Sequence, residues 1–533
     1  MASPDPPIPP EDSSGSPKAP GETATTGASL RKQFTGGVSW LYGLRLVQRF
    51  VGTAQIVVVA RFVAPEEFGV IGVALLMLGL LEMLATTGLD QALIQKSGRL
   101  RNEMDTVWWT TAARGFLLGA ILFLAAPLVA AFFDEPRSEV VVRFVALVPI
   151  ARGLQSIGLT ALTKDLAFGR LAALELVKTA VVAVSAVVLA VWLRSVWALV
   201  IVQLIGPTVQ AVGSYAVHPY RPKLRFRFDH LRKLWGFSKW IAGGRWAHYL
   251  ADQGDNWVVG RVLGAAPLGL YRAAYRLGST PMTEVTGVLS RVAFPTFSKM
   301  LRDPERMGRA YLRLLHLVAF VSTPLSVSLI ILAEPGVPLL LGEKWAPMVP
   351  ALQVLLVGGV VRSFRATTGP VLQAIGRPDI VTKVTVLRVS VLFALIVPLS
   401  SRFGIIGAAW SAVAALVIET PWLLLATTRA VHVKARDVFM RIGLPLLYVL
   451  PMAVTMVGTL RALEAEASSW VSALLAGILG AAAYLLAARV TDHRIGYGAV
   501  ADFRSVGRSV LGPIRRRLAV LVTPGLRKKT TRS

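Results

Sequence analysis

The chain alternates long apolar blocks with short polar connections along nearly its whole length. A helix needs about 20 mostly apolar residues to cross the hydrocarbon core of a bilayer, so blocks of this length predict membrane spans. Fourteen blocks can be marked, at 37–61, 68–93, 106–133, 139–162, 171–193, 196–216, 236–262, 268–292, 310–333, 347–366, 380–400, 403–427, 438–460 and 469–489. Those at 139–162, 268–292 and 347–366 contain arginines and are the least apolar. The predicted class is an all-α integral membrane protein with about 14 transmembrane helices.

The connections carry a second pattern. Alternate ones hold the basic residues: Lys96, Arg99 and Arg101; Lys164 and Arg170; Arg221 through Lys233; Lys299, Arg302, Arg306 and Arg309; Arg377; Arg429, Lys434 and Arg436. The intervening ones, such as "APEEF", "DEPRSE" and "RALEAEASS", are short and poor in Lys and Arg. Cytoplasmic loops collect Lys and Arg, so this alternation places both termini in the cytoplasm and requires an even number of spans. The longest external loop is expected at Glu334 to Trp345, with Glu343 and Lys344 as loop or helix-end charges.

The apolar pattern also repeats. "GGVSWLYGLRLVQRF" starts at Gly36 and "GFSKWIAGGRWAHYL" at Gly236. In that register Trp40 meets Trp240, Arg45 meets Arg245, Arg61 meets Arg261 and Gly69 meets Gly269. A duplicated six-helix unit follows, and six crossings return the chain to its starting side. The two units are therefore parallel, related by an axis along the membrane normal. The expected division is a disordered cytoplasmic tail at 1–33, an N-terminal six-helix lobe at 34–216 and a basic linker at 217–235. A C-terminal six-helix lobe at 236–427, two added helices at 428–489 and a basic tail at 490–533 complete it. The first tail is rich in Pro, Ser, Thr and Gly and lacks an apolar signal region, so no cleavable signal peptide is expected.

Composition adds exclusions. Hydrophobic residues make up 54% and charged residues only 16%, against about 25% charged in soluble domains. With no Cys, disulfides, thiolate metal sites and Cys nucleophiles are ruled out, and no cofactor is expected. The net charge of +27 is largely assigned to the cytoplasmic connections and the basic tail. That tail reads either as an interfacial helix attracting anionic lipids or as a solvated topogenic segment. Nucleic-acid binding has no motif behind it.

Charges inside the spans are the candidate chemistry, because a charge at bilayer depth is costly and turns toward protein or water. Arg45, Gln48, Gly52 and Gln55 share one face of the first span, with Arg49 beside them. Arg245, His248, Asp252 and Asp255 take the same offsets on the seventh. Arg114, Arg152, Arg272, Arg276, Glu284, Arg362, Arg365 and Arg388 are further intramembrane charges. For Arg152, Arg365 and Arg388, near span ends, a structural ion pair or snorkelling is an equal alternative. Arginine exceeds acid in this set. The planar guanidinium donates two hydrogen bonds at once and suits phosphate or pyrophosphate, so the substrate expected is an anion.

At this point the chain resembles a known family. "ARFVAPEEFGVIGVALLMLGLLEMLATTGLDQALIQK", "QGDNWVVGRVLGAAPLGLYRAAYRLGSTP", "VAFPTFSKM", "EPGVPLLLGEKWAPMVPALQVL", "QAIGRPD" and "FGIIGAAWS" are similar to stretches of the bacterial polysaccharide flippases. These share a superfamily with multidrug exporters of the MATE type and lipid II flippases. The resemblance spans about residues 34–430 and is strongest to the exopolysaccharide and teichuronic-acid type. It implies two six-helix lobes around a central cavity and alternating access. It also implies a polyprenyl-pyrophosphate-linked oligosaccharide moved from the inner to the outer leaflet of the bacterial cytoplasmic membrane. Polysaccharide polymerase and assembly proteins are the partners it implies.

The site residues carried forward are Arg45, Gln48, Arg49, Arg114, Arg152, Arg245, His248, Arg272, Arg276 and Arg362 for substrate, with Asp252, Asp255 and Glu284 for coupling or ion pairing. Asp252 and Asp255 admit two roles: binding H⁺ or Na⁺, or pairing with a neighbouring arginine in the empty cavity. The ion-pair role is favoured for Asp255. A MATE-like drug antiporter is the alternative, though its cavity would hold acids and aromatics. A membrane glycosyltransferase or polymerase is a weaker one, because the external loops are short and no P-loop is present.

Overall fold

The computed structural model describes residues 47–85, 101–165, 167–223, 249–463 and 469–495. Among these residues every regular element is helical. Nine helices among the described residues are long and apolar enough to cross a membrane, or ten when the bent pair Arg137–Gly153 and Gly158–Lys164 is taken as one span. Large apolar side chains stand fully outward, among them Leu128 at 73% and Trp192 at 80% exposure. A water-soluble protein does not tolerate so wide an apolar exterior; a lipid-facing one requires it.

Each lobe is a set of helices packed in sequence. In the first, Pro65–Leu84 packs on Arg137–Val145, Arg101–Phe133 on Leu147–Gly153, and Phe168–Leu193 on Val196–Val217. In the second, Val349–Ala374 is central, with Ala265–Ser298, Pro304–Leu341 and Pro378–Ala430 around it. The added helices Ala435–Leu463 and Ser469–Ile495 form a pair docked on Pro304–Leu341. Tyr484 donates to the Phe320 carbonyl at 2.9 Å in that joint, and its ring packs on Phe320 and Tyr448.

The lobes meet where the sequence repeats. Helices Pro65–Leu84 and Ala265–Ser298 cross in close contact. A Cβ on Gly69 would overlap the Ala265 carbonyl, and a Cβ on Gly269 would overlap the Pro65 carbonyl. The two contacts exchange when the register is applied, so the crossing has local twofold character. One turn further, Arg272 Nη1 donates to the Gly72 carbonyl at 2.6 Å. Beside this crossing the lobes are clasped. Arg61 donates to the Leu339 carbonyl at 2.7 Å, Lys344 Nζ to the Arg61 carbonyl at 3.0 Å, and Trp345 Nε1 to the Ala60 carbonyl at 2.9 Å. Phe68 meets the Trp345 ring edge-on.

Three expectations about the spans need correction. The span at 139–162 is broken between residues 153 and 158, with a 51° bend. Ser156 makes the break: its amide donates to Ser214 Oγ and its own Oγ accepts from the Gly158 amide. The segment from Glu334 is not a loop, since helix Pro304–Leu341 runs through it and a 3₁₀ turn, Glu343–Met348, follows. Pro324, Pro335 and Pro338 mimic breakers but lie inside the helix, as membrane helices allow. The spans at 380–400 and 403–427 are joined by a break of one residue within Pro378–Ala430, at Gly404 (φ 60°, ψ −140°). Gly407 there abuts the Leu399 carbonyl, eight residues back, so the chain doubles over itself.

Candidate functional site

The larger cavity, about 780 Å³, opens within the N-terminal helices. Gln48, Gly52 and Gln55 line it together, as their shared helix face predicts. Gln155, Gln203 and Gln210 add further amides, and Arg114, Arg152, Lys178 and Arg276 add charge. Amides both donate and accept, and so match sugar hydroxyls.

The charges are partly spoken for. Arg152 pairs with Glu82. Lys178 pairs with Glu175 at 2.6 Å. Glu175 also accepts from Gln210 at 3.0 Å and Gln48 at 3.3 Å, and Gln48 donates to Thr179 Oγ1 at 3.0 Å. Glu175 therefore orients two of the lining amides. Arg114 donates to the Ala85 carbonyl at 3.3 Å. Arg276, on helix Ala265–Ser298 of the other lobe, reaches this cavity with no carboxylate partner among the described residues. It also lines a second cavity of about 330 Å³, together with Gln55, Gln253, Asn256 and Arg272. Arg276 thus stands at the junction of the two spaces, one helical turn from Arg272.

A second group of charges lies within the C-terminal helices. Asp252 pairs with Arg388 at 3.4 Å. Asp255 is buried and accepts from the Tyr271 hydroxyl at 2.9 Å and from the Asn256 amide at 2.8 Å. Its hydrogen-bond partners are thus a phenol and the neighbouring amide, Arg362 acts on it through charge alone, and the arginine hydrogen bond falls to Asp252. Arg362 stacks over the Tyr275 ring at 4.9 Å. Arg365 pairs with Glu419 at 2.7 Å.

The predicted set is therefore split. Gln48, Arg114, Arg152 and Arg276 share the larger cavity, Arg272 lines the smaller, and Arg362, Asp252 and Asp255 belong to the second group. Arg49 lies near enough to Arg276 for their charges to interact. Arg45, Arg245, His248 and the Glu284 side chain fall outside the described residues. Sequence reasoning passed over Glu82, Glu175, Lys178 and Glu419. Each interrupts an apolar block, and that signal was available for all four.

Residues 58–350 match the family described as "Polysaccharide biosynthesis protein". The lipopolysaccharide biosynthesis protein WzxC of Escherichia coli (strain K12) is 27% identical over 405 residues, covering 74% of this chain and 80% of that protein. The succinoglycan biosynthesis transport protein ExoT of Rhizobium meliloti (strain 1021) is 28% identical over 354 residues, covering 65% and 70%. Among solved structures, the lipid II flippase MurJ in an inward closed conformation superposes with a TM-score of 0.67 at 14% identity, over 86% of this chain and 99% of that one. At that identity the likeness is one of fold.

Proposed function

This chain belongs to the polysaccharide biosynthesis protein family, and from that footing we propose that it is a flippase for a polyprenyl-pyrophosphate-linked oligosaccharide. It moves the headgroup from the inner to the outer leaflet of the bacterial cytoplasmic membrane by alternating access, and it is a carrier rather than an enzyme. One observation supports this above the others: an amide-rich cavity in apolar helices into which Arg276 of the opposite lobe projects. Amides receive the sugar hydroxyls, while Arg276, Arg272 and Arg114 receive the pyrophosphate. Arg49, near enough to Arg276 for their charges to interact, extends the same basic surface, and Arg45 and Arg245 are proposed as further pyrophosphate ligands. A drug cation would meet guanidinium groups there and be repelled.

The clasp at Arg61, Lys344 and Trp345 closes one end of the molecule. We assign that end to the outer face, with lobes at 34–216 and 236–427, fourteen spans and both termini cytoplasmic. The alternation of basic connections supports this orientation. Polymerase and assembly proteins would receive the flipped substrate, and the basic tail at 490–533 would meet anionic lipid. Energy is at hand: an inside-negative potential favours outward movement by roughly 2.3 kcal/mol per charge per 100 mV, or about 4–5 kcal/mol for a pyrophosphate diester. The test is a deletion strain. Lipid-linked oligosaccharide should accumulate, as read by mass spectrometry, and the wild-type gene should clear it. An unchanged lipid-linked pool removes this reading.

A further inference from the structure

The second charge group has a form that the substrate cavity does not explain. Among the described residues it holds three arginines, Arg362, Arg365 and Arg388, and three carboxylates, Asp252, Asp255 and Glu419, whose formal charges cancel; Arg272, also within electrostatic reach of Asp255, is directed to the Gly72 carbonyl. Four of the six are linked in a chain. Glu419, 1% exposed, receives Arg365 Nε at 2.7 Å on one oxygen. Its other oxygen faces Arg388 Nε at 3.4 Å, an ion pair not aligned as a hydrogen bond. Arg388, 5% exposed, continues to Asp252 Oδ1 at 3.4 Å. Arg365 is held in turn by Thr385 Oγ1 at 2.8 Å.

The members differ in how they are anchored. Arg388 and Glu419 sit about equally far from Gly404, on opposite arms of the folded-back helix, and are buried. Asp252 comes from the 249–263 helix and its side chain is 40% exposed. That helix also places Gln253 and Asn256 in the smaller cavity. The link from Asp252 to Arg388 therefore joins a cavity-lining helix to a buried frame. Two carboxylates brought to one site repel unless a cation lies between them. In an ion-coupled carrier that cation would be an exchangeable H⁺ or Na⁺. Here a guanidinium fills the position. It is covalently held and stays charged.

We propose that Arg388 is a resident cation: it ties the 249–263 helix to the Gly404 hairpin through Asp252 and Glu419, and it makes a coupling ion unnecessary at this site. The claim rests on the transport reading above for its consequence, though not for its chemistry. Arg388 acts as a positioning residue, and the potential across the membrane together with substrate supply drives the cycle.

The test uses the full-length protein in proteoliposomes. The probe is a polyprenyl-pyrophosphoryl disaccharide with a fluorophore on the sugar, at symmetrical pH, without Na⁺, under a K⁺–valinomycin potential. Wild-type flux is expected to be equal with and without an H⁺ or Na⁺ gradient. Arg388→Gln should lose at least about tenfold in flux, by removing the cation that Asp252 and Glu419 share, and should regain much of it with Na⁺ or at lower pH. Arg388→Lys should keep cation-independent flux. The double variant Arg388→Gln, Asp252→Asn, with one charge of each sign removed, should be cation-independent again. Wild-type flux that requires a gradient, or Arg388→Gln flux that is unchanged or is restored by neither cation, overturns the proposal. Thermal unfolding in detergent tests it apart from transport. Na⁺ should leave the wild-type midpoint within about 1 °C and raise that of Arg388→Gln by several degrees, and an equal response in both overturns it. If wild type moves no probe under any gradient while the unfolding pattern holds, the transport reading fails and the resident cation stands.

Discussion

Arg272 donates to the carbonyl of Gly72, the residue that occupies its own place in the preceding repeat, at 2.6 Å. A positional mate in the duplicated sequence is thus a physical neighbour. The contact joins the lobes beside the smaller cavity, which both residues line.

Arg272→Ala should loosen the clasped end. The chain has no Cys, so a single introduced thiol reports cleanly. Leu75→Cys, in the smaller cavity, should react slowly with an impermeant maleimide in the otherwise wild-type chain and several-fold faster with Arg272→Ala present. Equal labelling rates would show that Arg272 does not hold the lobes.

Gly69→Ala and Gly269→Ala should each prevent closure. The added methyl group meets a backbone carbonyl of the opposing helix, which cannot rotate aside as a side chain would. Overpacking of this kind costs about 1–3 kcal/mol or more, and the clasped state should be disfavoured accordingly. Gly52→Ala, where a Cβ meets nothing, is the control. Cross-linking yield between Cys residues placed at Arg61 and Leu340 reads the closed population; it should fall for the first two variants and hold for the control.

Arg276→Ala should impair transport at least about tenfold without reducing membrane insertion, and Arg114→Ala similarly, since each removes charge-assisted hydrogen bonds. Lysine at either position should rescue in part, restoring charge without the planar fork. The triple variant at Arg45, Arg49 and Arg245 is expected to behave alike. Complementation of a flippase-deficient strain, with protein level by immunoblot, checks all of these.

His218 closes helix Val196–Val217, and its Nδ1 accepts from the Tyr220 amide at 3.0 Å, which needs a neutral ring. Burial holds the imidazole below the usual histidine range; Arg170 and Arg221 reinforce this, and Asp165 opposes it. Because the folded value is depressed, the stabilisation is present above the ordinary histidine value of about 6.5 and is lost as pH falls through the folded value. The segment 218–223 should be cleaved faster by protease at about pH 5 than at about pH 7.5, and His218→Asn should remove most of that difference.

Much of the fold was legible because bilayer thickness sets helix length. The lobe crossing was legible as a 200-residue identity at Gly69 and Gly269, before its contact was visible. The span ends were less so. A loop was expected from Glu334, but helix Pro304–Leu341 runs on through Pro335 and Pro338, while Ser156, an unremarked polar residue, makes a real break. The cavity was half legible. The Gln48, Gly52 and Gln55 stripe followed from helical periodicity. The pairing of Lys178 with Glu175, and of Arg152 with Glu82, depends on which helices become neighbours, and periodicity within one helix carries no such information. That Asp252, and not Asp255, lies at hydrogen-bond distance from an arginine has the same origin, since Arg388 and Tyr271 lie on other helices.

The one-residue turn at Gly404 fixes a registry. A longer loop would let its two arms slide, and a slip of a single residue displaces one arm by about 1.5 Å along the axis. That displacement is enough to break a 3.4 Å contact between Arg388 and Glu419 deep in the hairpin. Because Gly404 takes φ 60°, a conformation other residues adopt reluctantly, the spacing is set by backbone geometry far from the charges themselves. The two arms then travel as a single rigid stave. Any relative motion at the ion chain then falls on its two outlying joints, Asp252 with Arg388 and Arg365 with Glu419.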